Sequence, residues 1–208
     1  MIDGRTARGE RTRVAVLDTA VGLASVLGLE AMSLARLADE TGVSKSALFA
    51  HWQDKEILQL AVVEHAVQLW MDRVVRPALR TPRGVRRLWA LHERRLAFYA
   101  DKVLPGGCFF AAAEPEFDDR PGPVRDALVT AVGSWLRLLR TVAAQAVDLG
   151  ELRADTDVGQ LAFETEALGK ALITSTWLSR EYAAGYARRA VLDRLRQLSP
   201  TPELLPDE

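Results

Sequence analysis

Residues 32–58 carry two short apolar patterns that one continuous helix cannot accommodate. Three apolar residues precede Gly42 with helical spacing, and three more follow it in a different helical phase: Leu34, Leu37 and Ala38, then Ala47, Leu48 and Trp52. Gly42 suits the left-handed conformation that often ends a helix, and Ser44 is a good N-cap for the next one. The stretch therefore predicts two short helices joined by a tight turn.

Further cap residues flank this pair and extend the pattern to a third helix. Ser33 suits the start of the first helix, and Asp54 suits the start of one that opens with Lys55. Two helices around a short glycine turn are typical of a helix-turn-helix, whose second helix enters the DNA major groove. Small or basic residues open that second helix here: Ser44, Lys45, Ser46 and Ala47. A helical hairpin without a ligand explains the same pattern, and the pattern alone favours neither interpretation.

A family resemblance favours the DNA-binding interpretation. The first quarter of the chain resembles the N-terminal signature of the TetR family of bacterial transcriptional regulators at Ala20, Gly28, Leu37, Ala38, Gly42, Val43, Ser44, Leu48, His51, Lys55, Glu56 and Leu58. The resemblance implies a homodimer with a DNA-binding domain over residues 1–56. It also implies a helical domain over residues 57–208 that forms the dimer and binds a small-molecule inducer. We expect contacts with double-stranded operator DNA from Ser33, Arg36, Ser44, Lys45, Ser46, Phe49, His51, Trp52 and Lys55.

Two residues depart from the family pattern. Phe49 stands where members usually have a tyrosine whose hydroxyl reaches a phosphate, and losing that hydrogen bond costs on the order of 1 kcal/mol. Trp52 replaces a usual phenylalanine, and a tryptophan there is better suited to the core of the small domain than to DNA.

Composition predicts an all-α protein of 208 residues, with one small and one medium domain. Aliphatic residues are abundant, and glycine and proline fall mostly between periodic segments. We find no apolar run long enough to span a bilayer, and residues 1–13 lack the apolar core of a signal peptide. We therefore expect a cytoplasmic protein without membrane association.

No metal, cofactor or catalytic motif is recognisable. Cys108 is the single cysteine, and His51, His65 and His92 fall on different predicted helices, so we expect no metal site and no cofactor. The sequence contains no nucleophile with a base at a recognisable spacing and no phosphate-binding glycine loop. The prediction is that the protein is not an enzyme.

The net charge does not favour nucleic-acid binding. It is -1 for the whole chain, and residues 1–56 carry seven basic and eight acidic side chains. Attraction to DNA must then be local and salt-sensitive, supplied by the arm from Arg5 to Arg13 and by Arg36, Lys45 and Lys55. Residues 1–10 are expected to form a flexible polar arm, and a disordered terminus without a DNA contact explains them equally well. A helical ligand-binding or scaffold protein without sequence-specific DNA binding is the main alternative function.

The remaining periodicity predicts six further helices, and it extends the helix that opens with Lys55. A helix is expected from Arg11 to Gly28, and a long one from Lys55 to Arg76, where Pro77 ends it. A short buried helix over residues 108–113 is closed by Pro115. The arginines between Arg73 and Arg95 fall on several helix faces and predict a solvated surface.

Two apolar faces near the C-terminus are candidates for the dimer interface, although both can equally be used inside one subunit. The first comprises Leu161, Leu168, Ala171, Leu172 and Ser175, and the second comprises Val191, Leu195 and Leu198. The family resemblance favours a dimer, and so does the need for two recognition helices about 34 Å apart.

Aromatic residues beyond the first domain suggest an apolar ligand pocket. Its candidate lining is Trp70, Trp89, His92, Cys108, Phe110, Trp135 and Phe163, with Gln145 as a further polar contact. Plain core packing is the alternative for each of them. The predicted function is a ligand-responsive transcriptional regulator, expected to be a repressor, in which a bound inducer tilts the helix that starts at Lys55. The sequence is also compatible with a regulator that activates transcription.

Overall fold

A computed structural model describes residues 4–174 and 180–207, and this part of the chain is helical without β-strands. The α-helices, in chain order, are α1 Gly4–Leu27, α2 Leu34–Thr41, α3 Lys45–His51, α4 Lys55–Trp70, α5 Arg76–Leu79, α6 Val85–Ala100, α7 Phe109–Phe117, α8 Pro123–Asp148, α9 Val158–Thr174 and α10 Arg180–Leu198. A π-helical segment, Met71–Val75, joins α4 to α5, and a 3-10 turn covers Pro202–Leu204. The predicted all-α fold is confirmed.

The chain folds as two compact units whose limits differ from the predicted domains. Unit 1 comprises Met1–Leu69 with Leu104–Thr130, and unit 2 comprises Trp70–Val103 with Ala131–Glu208. Unit 1 continues past the predicted boundary at residue 56 as far as Leu69. It also includes α7, which packs against α1. A segment far along the sequence therefore belongs with the helix-turn-helix.

Helix α1 starts earlier than the sequence predicted. It begins at Gly4, so the prediction of a flexible arm is wrong for residues 4–10, and the earlier residues lie outside the described part. Alanine, arginine and glutamate in this segment are good helix formers, and an ion pair of 3.3 Å between Arg13 Nη1 and Glu10 Oε1 spans one turn. Leu17, Val21 and Ala24 are buried on one face of α1, whereas Val14 and Leu27, which the sequence also assigned to this face, are 40% and 43% exposed.

Two prolines, Pro77 and Pro115, were predicted to end helices, but neither does. Pro77 directly follows the π-helical segment. In this wider turn Arg76 donates its backbone N–H to the Met71 carbonyl, five residues back, and the geometry accommodates a residue without an N–H, so the chain stays helical to the end of α5. Pro115 lies inside α7, which continues to Phe117. Only one backbone hydrogen bond is lost near the end of this short helix, and packing of Phe117 in the core compensates for it.

The core of unit 2 is built from α6, α8, α9 and α10. Most residues of the two apolar faces that the sequence suggested for the dimer interface are buried inside the subunit. Leu161, Val191, Leu195 and Leu198 are buried in this core, and Leu172 is buried as well. That part of the interface prediction is wrong, because the two faces pack inside one subunit. Of the remaining residues, Leu168 is half-buried, Ala171 is exposed and Ser175 lies outside the described residues.

Helix α8 is apolar but only partly buried within the chain. It is the one helix of the described part that is long and apolar enough to cross a membrane, so the expectation of no such run is not met. Within the chain, 28% of its most apolar window is buried. Core helices and interface helices of water-soluble proteins share this composition, and a single such helix is weak evidence for a membrane span.

Candidate functional site

Side-chain and glycine caps define the helix-turn-helix, as the sequence predicted. Ser33 Oγ accepts a hydrogen bond from the Arg36 N–H at 3.2 Å, and Ser44 Oγ accepts one from Ala47 at 3.3 Å. Gly42 has a φ of +68° and donates its N–H to Ala38 O at 2.9 Å, which ends α2. All three interactions join residues at most four apart, so they form wherever this sequence is helical.

The first turn of α3 presents polar side chains to solvent. Ser44, Lys45 and Ser46 are exposed, and the two serine hydroxyls are 3.2 Å apart. Leu48 is fully buried and anchors the helix, while Phe49 on the outer face is 51% exposed. An exposed aromatic ring beside a lysine and two hydroxyls is able to contact a DNA backbone and base edges.

The other predicted DNA contacts divide into exposed and buried residues. Arg36 on α2 and His51 at the end of α3 are exposed, so both remain predicted contacts. Trp52 is 2% exposed and belongs to the core, so its prediction as a DNA contact is wrong. The indole buries more apolar area than a phenylalanine would, which explains its inward position.

Lys55 begins α4 beside the carboxylate of Glu30. Asp54 Oδ1 accepts the Ile57 N–H at 2.8 Å and caps the helix as predicted. The Lys55 ammonium lies 2.7 Å from Glu30 Oε1, and this hydrogen bond is the main reason why the pKa of Glu30 is below its ordinary value. Sequence analysis missed Glu30, because 25 residues separate it from Lys55.

The predicted ligand-lining residues are divided between the two units. Cys108 and Phe110 belong to unit 1, where Cys108 is buried and the Phe110 ring stacks edge-on against Phe109 at 5.2 Å. The other five belong to unit 2. Of these, Phe163 is 65% exposed on α9, so it does not line an enclosed pocket within this chain.

Trp70 and Trp135 lie together in an aromatic cluster of unit 2. Their rings meet edge-on at 5.3 Å, and Trp70 has the same relation to Phe98, also at 5.3 Å. Tyr99 completes the cluster at 6.2 Å from Trp70. Edge-to-face pairs at these distances are favourable in a core, and they are equally suited to enclosing a flat or cationic ligand.

A buried ion pair borders this cluster. Arg95 is 3% exposed and forms a bidentate pair with Glu166, with Nη1–Oε2 and Nη2–Oε1 distances of 2.8 and 3.2 Å. The Trp135 indole N–H donates to Glu166 Oε2 at 2.7 Å, and Arg95 Nε donates to the Tyr99 hydroxyl at 3.0 Å. The prediction of a solvated surface is wrong for Arg95. Arg95 lies seven residues after Leu88, three after His92 and four before Tyr99. These helical intervals place it on the same, buried face of α6, which the sequence analysis overlooked.

His92 is the third predicted ligand contact in unit 2, and it is fully buried. Its Nε2 lies 3.2 Å from the Ala187 carbonyl, to which it donates in the neutral tautomer that burial favours. Among the residues that the structure describes, its Nδ1 has no hydrogen-bond partner. Burial lowers the pKa of His92 to about 3, with a further contribution from the positive charge of Arg95.

The depressed pKa of His92 predicts a pH-dependent stability. The unfolded chain takes up a proton near pH 6.5 while the folded chain does not until about pH 3, so stability falls as the pH decreases through this window. Between about pH 7.5 and pH 5, the wild type should lose about 2 kcal/mol more than His92→Phe. Urea denaturation at several pH values measures this difference. His51→Phe, at an exposed histidine, is the control, and an equal pH dependence of wild type and His92→Phe would contradict the prediction.

Two family models match the chain in adjacent regions. Residues 16–62 match the bacterial regulatory proteins of the tetR family, and residues 84–191 match the tetracyclin repressor-like C-terminal domain. The second match alone covers more than half of the 208 residues. No match was found among curated proteins.

Solved structures of transcriptional regulators share the fold at low sequence identity. A TetR regulator from Chloroflexus aurantiacus superposes with a TM-score of 0.82 at 21% identity, covering 93% of this chain and 98% of the other. A TetR-family regulator from Cytophaga hutchinsonii has a TM-score of 0.78 at 22% identity, with coverages of 93% and 97%. AibR, solved in complex with isovaleryl coenzyme A and operator DNA, has a TM-score of 0.67 at 21% identity, with coverages of 91% and 98%.

Proposed function

Because this chain belongs to the TetR family of bacterial transcriptional regulators, we propose that it is a repressor released from its operator by a small molecule. The observation that carries the proposal is the exposed first turn of α3, with Ser44, Lys45 and Ser46 directed away from a core anchored by Leu48. Residues at the start of a second helix are the ones that reach base edges in this motif. A repressor of this kind acts on DNA in the cytoplasm.

Two buried acceptors in unit 2 support the binding of a small molecule. His92 Nδ1 and Gln145 Oε1 are buried without a hydrogen-bond partner among the described residues. A buried acceptor left unpaired costs roughly 1 to 3 kcal/mol, so such atoms are often paired by a ligand or an ordered water. Together with the aromatic cluster at Trp70 and Trp135, they favour a ligand that is largely apolar and carries hydrogen-bond donors.

Helix α4 is the element through which the ligand acts in this proposal. Its first residue, Lys55, belongs to the unit that carries the helix-turn-helix, and its last, Trp70, belongs to the aromatic cluster of the other unit. A helix of 16 residues is stiff over its length of about 24 Å, so a displacement of Trp70 is transmitted along it. Inducer binding would tilt α4 and change the spacing of the two recognition helices in a dimer.

The homodimer in this proposal requires an apolar surface that one subunit leaves uncovered. On α9, Phe163, Ala167 and Ala171 are exposed at intervals of four residues, which places them along one stripe. Helix α8 is apolar and only partly buried within the chain. These exposed surfaces replace the faces that the sequence suggested, and a twofold axis would pair each with its own copy.

Sequence-preferring DNA binding is the direct test. Fluorescence anisotropy should compare the DNA that flanks the gene with a scrambled duplex of equal length, at several salt concentrations, using protein whose dimeric mass is confirmed by analytical ultracentrifugation. We expect tight, salt-dependent binding that prefers the flanking DNA and weakens when an inducer is added. Tight binding that the small molecule increases would contradict release from the operator by an inducer.

A helical ligand-binding or scaffold protein is the second candidate, favoured by the net charge of -1 and by Phe49, which lacks a hydroxyl group for a phosphate. The same experiment separates the two functions. A folded dimer without salt-dependent affinity for any duplex would support this second function and contradict the repressor.

A further inference from the structure

Glu30 lies at the centre of an ion-pair network next to the start of α4. Its Oε1 accepts from the Lys55 ammonium at 2.7 Å, and its Oε2 lies 3.4 Å from both Gln59 Nε2 and Arg120 Nη1. Lys55 and Glu30 side chains are 44% and 43% exposed, so both are accessible to a bound polyanion. A phosphate that approaches the start of α4 would therefore meet a Lys55 ammonium that is already hydrogen-bonded to Glu30.

A second carboxylate fixes the backbone on which Glu30 stands. Glu116, from α7, accepts the backbone N–H groups of Leu29 and Glu30 through the same Oε2, at 2.6 and 3.1 Å. Gly28 adopts a φ of +85°, and a side chain at this position would collide with the Glu116 carboxylate. Gln59, which is buried on α4, donates to the Leu29 carbonyl at 3.2 Å. The turn that carries Glu30 is therefore held by α7 on one side and by α4 on the other.

We propose that Glu30 is a positioning residue that competes with DNA phosphate for Lys55, and that Arg120 sets the strength of this competition. The inference rests on the proposed DNA-binding function, in which the start of α4 faces phosphates. Arg120 follows α7, whose sequence lies within the C-terminal family match over residues 84–191. When Arg120 stays close, it shares the charge of Glu30 and leaves Lys55 more available to DNA. When Arg120 moves away, Glu30 holds Lys55 and repels phosphate.

The size of the effect follows from the exposure of the pair. An exposed ion pair is worth at most about 1 kcal/mol, so releasing Lys55 should change DNA affinity by up to about fivefold. A released lysine also adds up to about 0.9 to the magnitude of the slope of log K against log salt. A residue with a purely structural role would not change this slope.

The test measures binding of the full-length protein to a duplex of about 30 base pairs of random sequence, by anisotropy between roughly 50 and 200 mM salt. Glu30→Gln should bind up to about fivefold more tightly than the wild type, with a steeper salt dependence. Arg120→Gln should bind about twofold more weakly, and it should have no effect in the Glu30→Gln background. Glu64→Gln, with the same charge change at an exposed position two turns along α4, is the matched control.

Each result separates this inference from the function on which it rests. A gain for Glu30→Gln that Glu64→Gln does not reproduce, and that disappears when Lys55 is also replaced by glutamine, supports the competition. Equal gains for the two glutamate variants, or an Arg120→Gln effect that persists in the Glu30→Gln background, overturn it. A wild type that binds no duplex at the lowest salt concentration overturns the repressor function itself, and the inference with it.

Discussion

The variant Lys45→Glu/Ser46→Glu is expected to lose operator binding by at least about 100-fold while remaining folded. Both side chains are exposed on the first turn of α3, so neither contributes to the core. The change removes one cation and places two carboxylates where phosphates and base edges would approach. Glutamate is favourable in the first turn of a helix, so α3 itself should not be weakened.

Anisotropy with the operator duplex measures this loss, and circular dichroism with thermal denaturation verifies the fold. A control with the same charge change is Lys102→Glu/Gln197→Glu, at two exposed positions of unit 2 that lie outside the proposed dimer surfaces. Retention of wild-type affinity by the α3 variant would exclude α3 as the recognition helix. A loss in both variants would point to net charge instead of a local contact.

Glu166→Ala is expected to cause the largest loss of stability, about 3 to 5 kcal/mol. It would leave the Arg95 guanidinium, with 4% of its side chain exposed, without its carboxylate partner, and it would also remove the acceptor of the Trp135 indole N–H. Glu164→Ala is the matched control, because Glu164 lies on the same helix but its pair with Arg194 is more exposed, with side-chain exposures of 27% and 39%. Its loss should be below about 1 kcal/mol.

Urea denaturation of both variants measures the difference, and a double variant separates charge from packing. Arg95→Met/Glu166→Leu replaces the pair by apolar side chains of similar volume, so it should recover most of the lost stability. Similar losses for Glu164→Ala and Glu166→Ala would mean that burial of the ion pair is energetically unimportant. A double variant that is less stable than Glu166→Ala would assign the loss to packing around Trp135.

The sequence allowed the helix-turn-helix to be predicted closely, because its determinants are local. Ser33, Ser44 and Asp54 cap their helices within three residues, and Gly42 ends α2 in the left-handed conformation that was expected. The failures were of a different kind. Pro77 was expected to break a helix, but the wider π-helical turn before it accommodates the missing N–H, and only the backbone geometry shows this.

The residues proposed for the site divide in the same way, into those whose position follows from local sequence and those whose position depends on packing. The exposure of Lys45 and Ser46, which are proposed DNA contacts, could be anticipated from the phase of the apolar residues around Leu48. The burial of Arg95 and of Trp52 could not be decided in this way, because an amphipathic side chain faces inward only when a partner or a cavity is present.

What the sequence by itself determined is therefore the set of capped helices, the helix-turn-helix and the family. The tertiary structure decided which charges are paired. Glu30 meets Arg120 across 90 positions of the chain, and Arg95 meets Glu166 across 71. The physical reason is range: caps and helical phase depend on residues within a few positions of each other, whereas burial and ion pairing depend on which helices pack together.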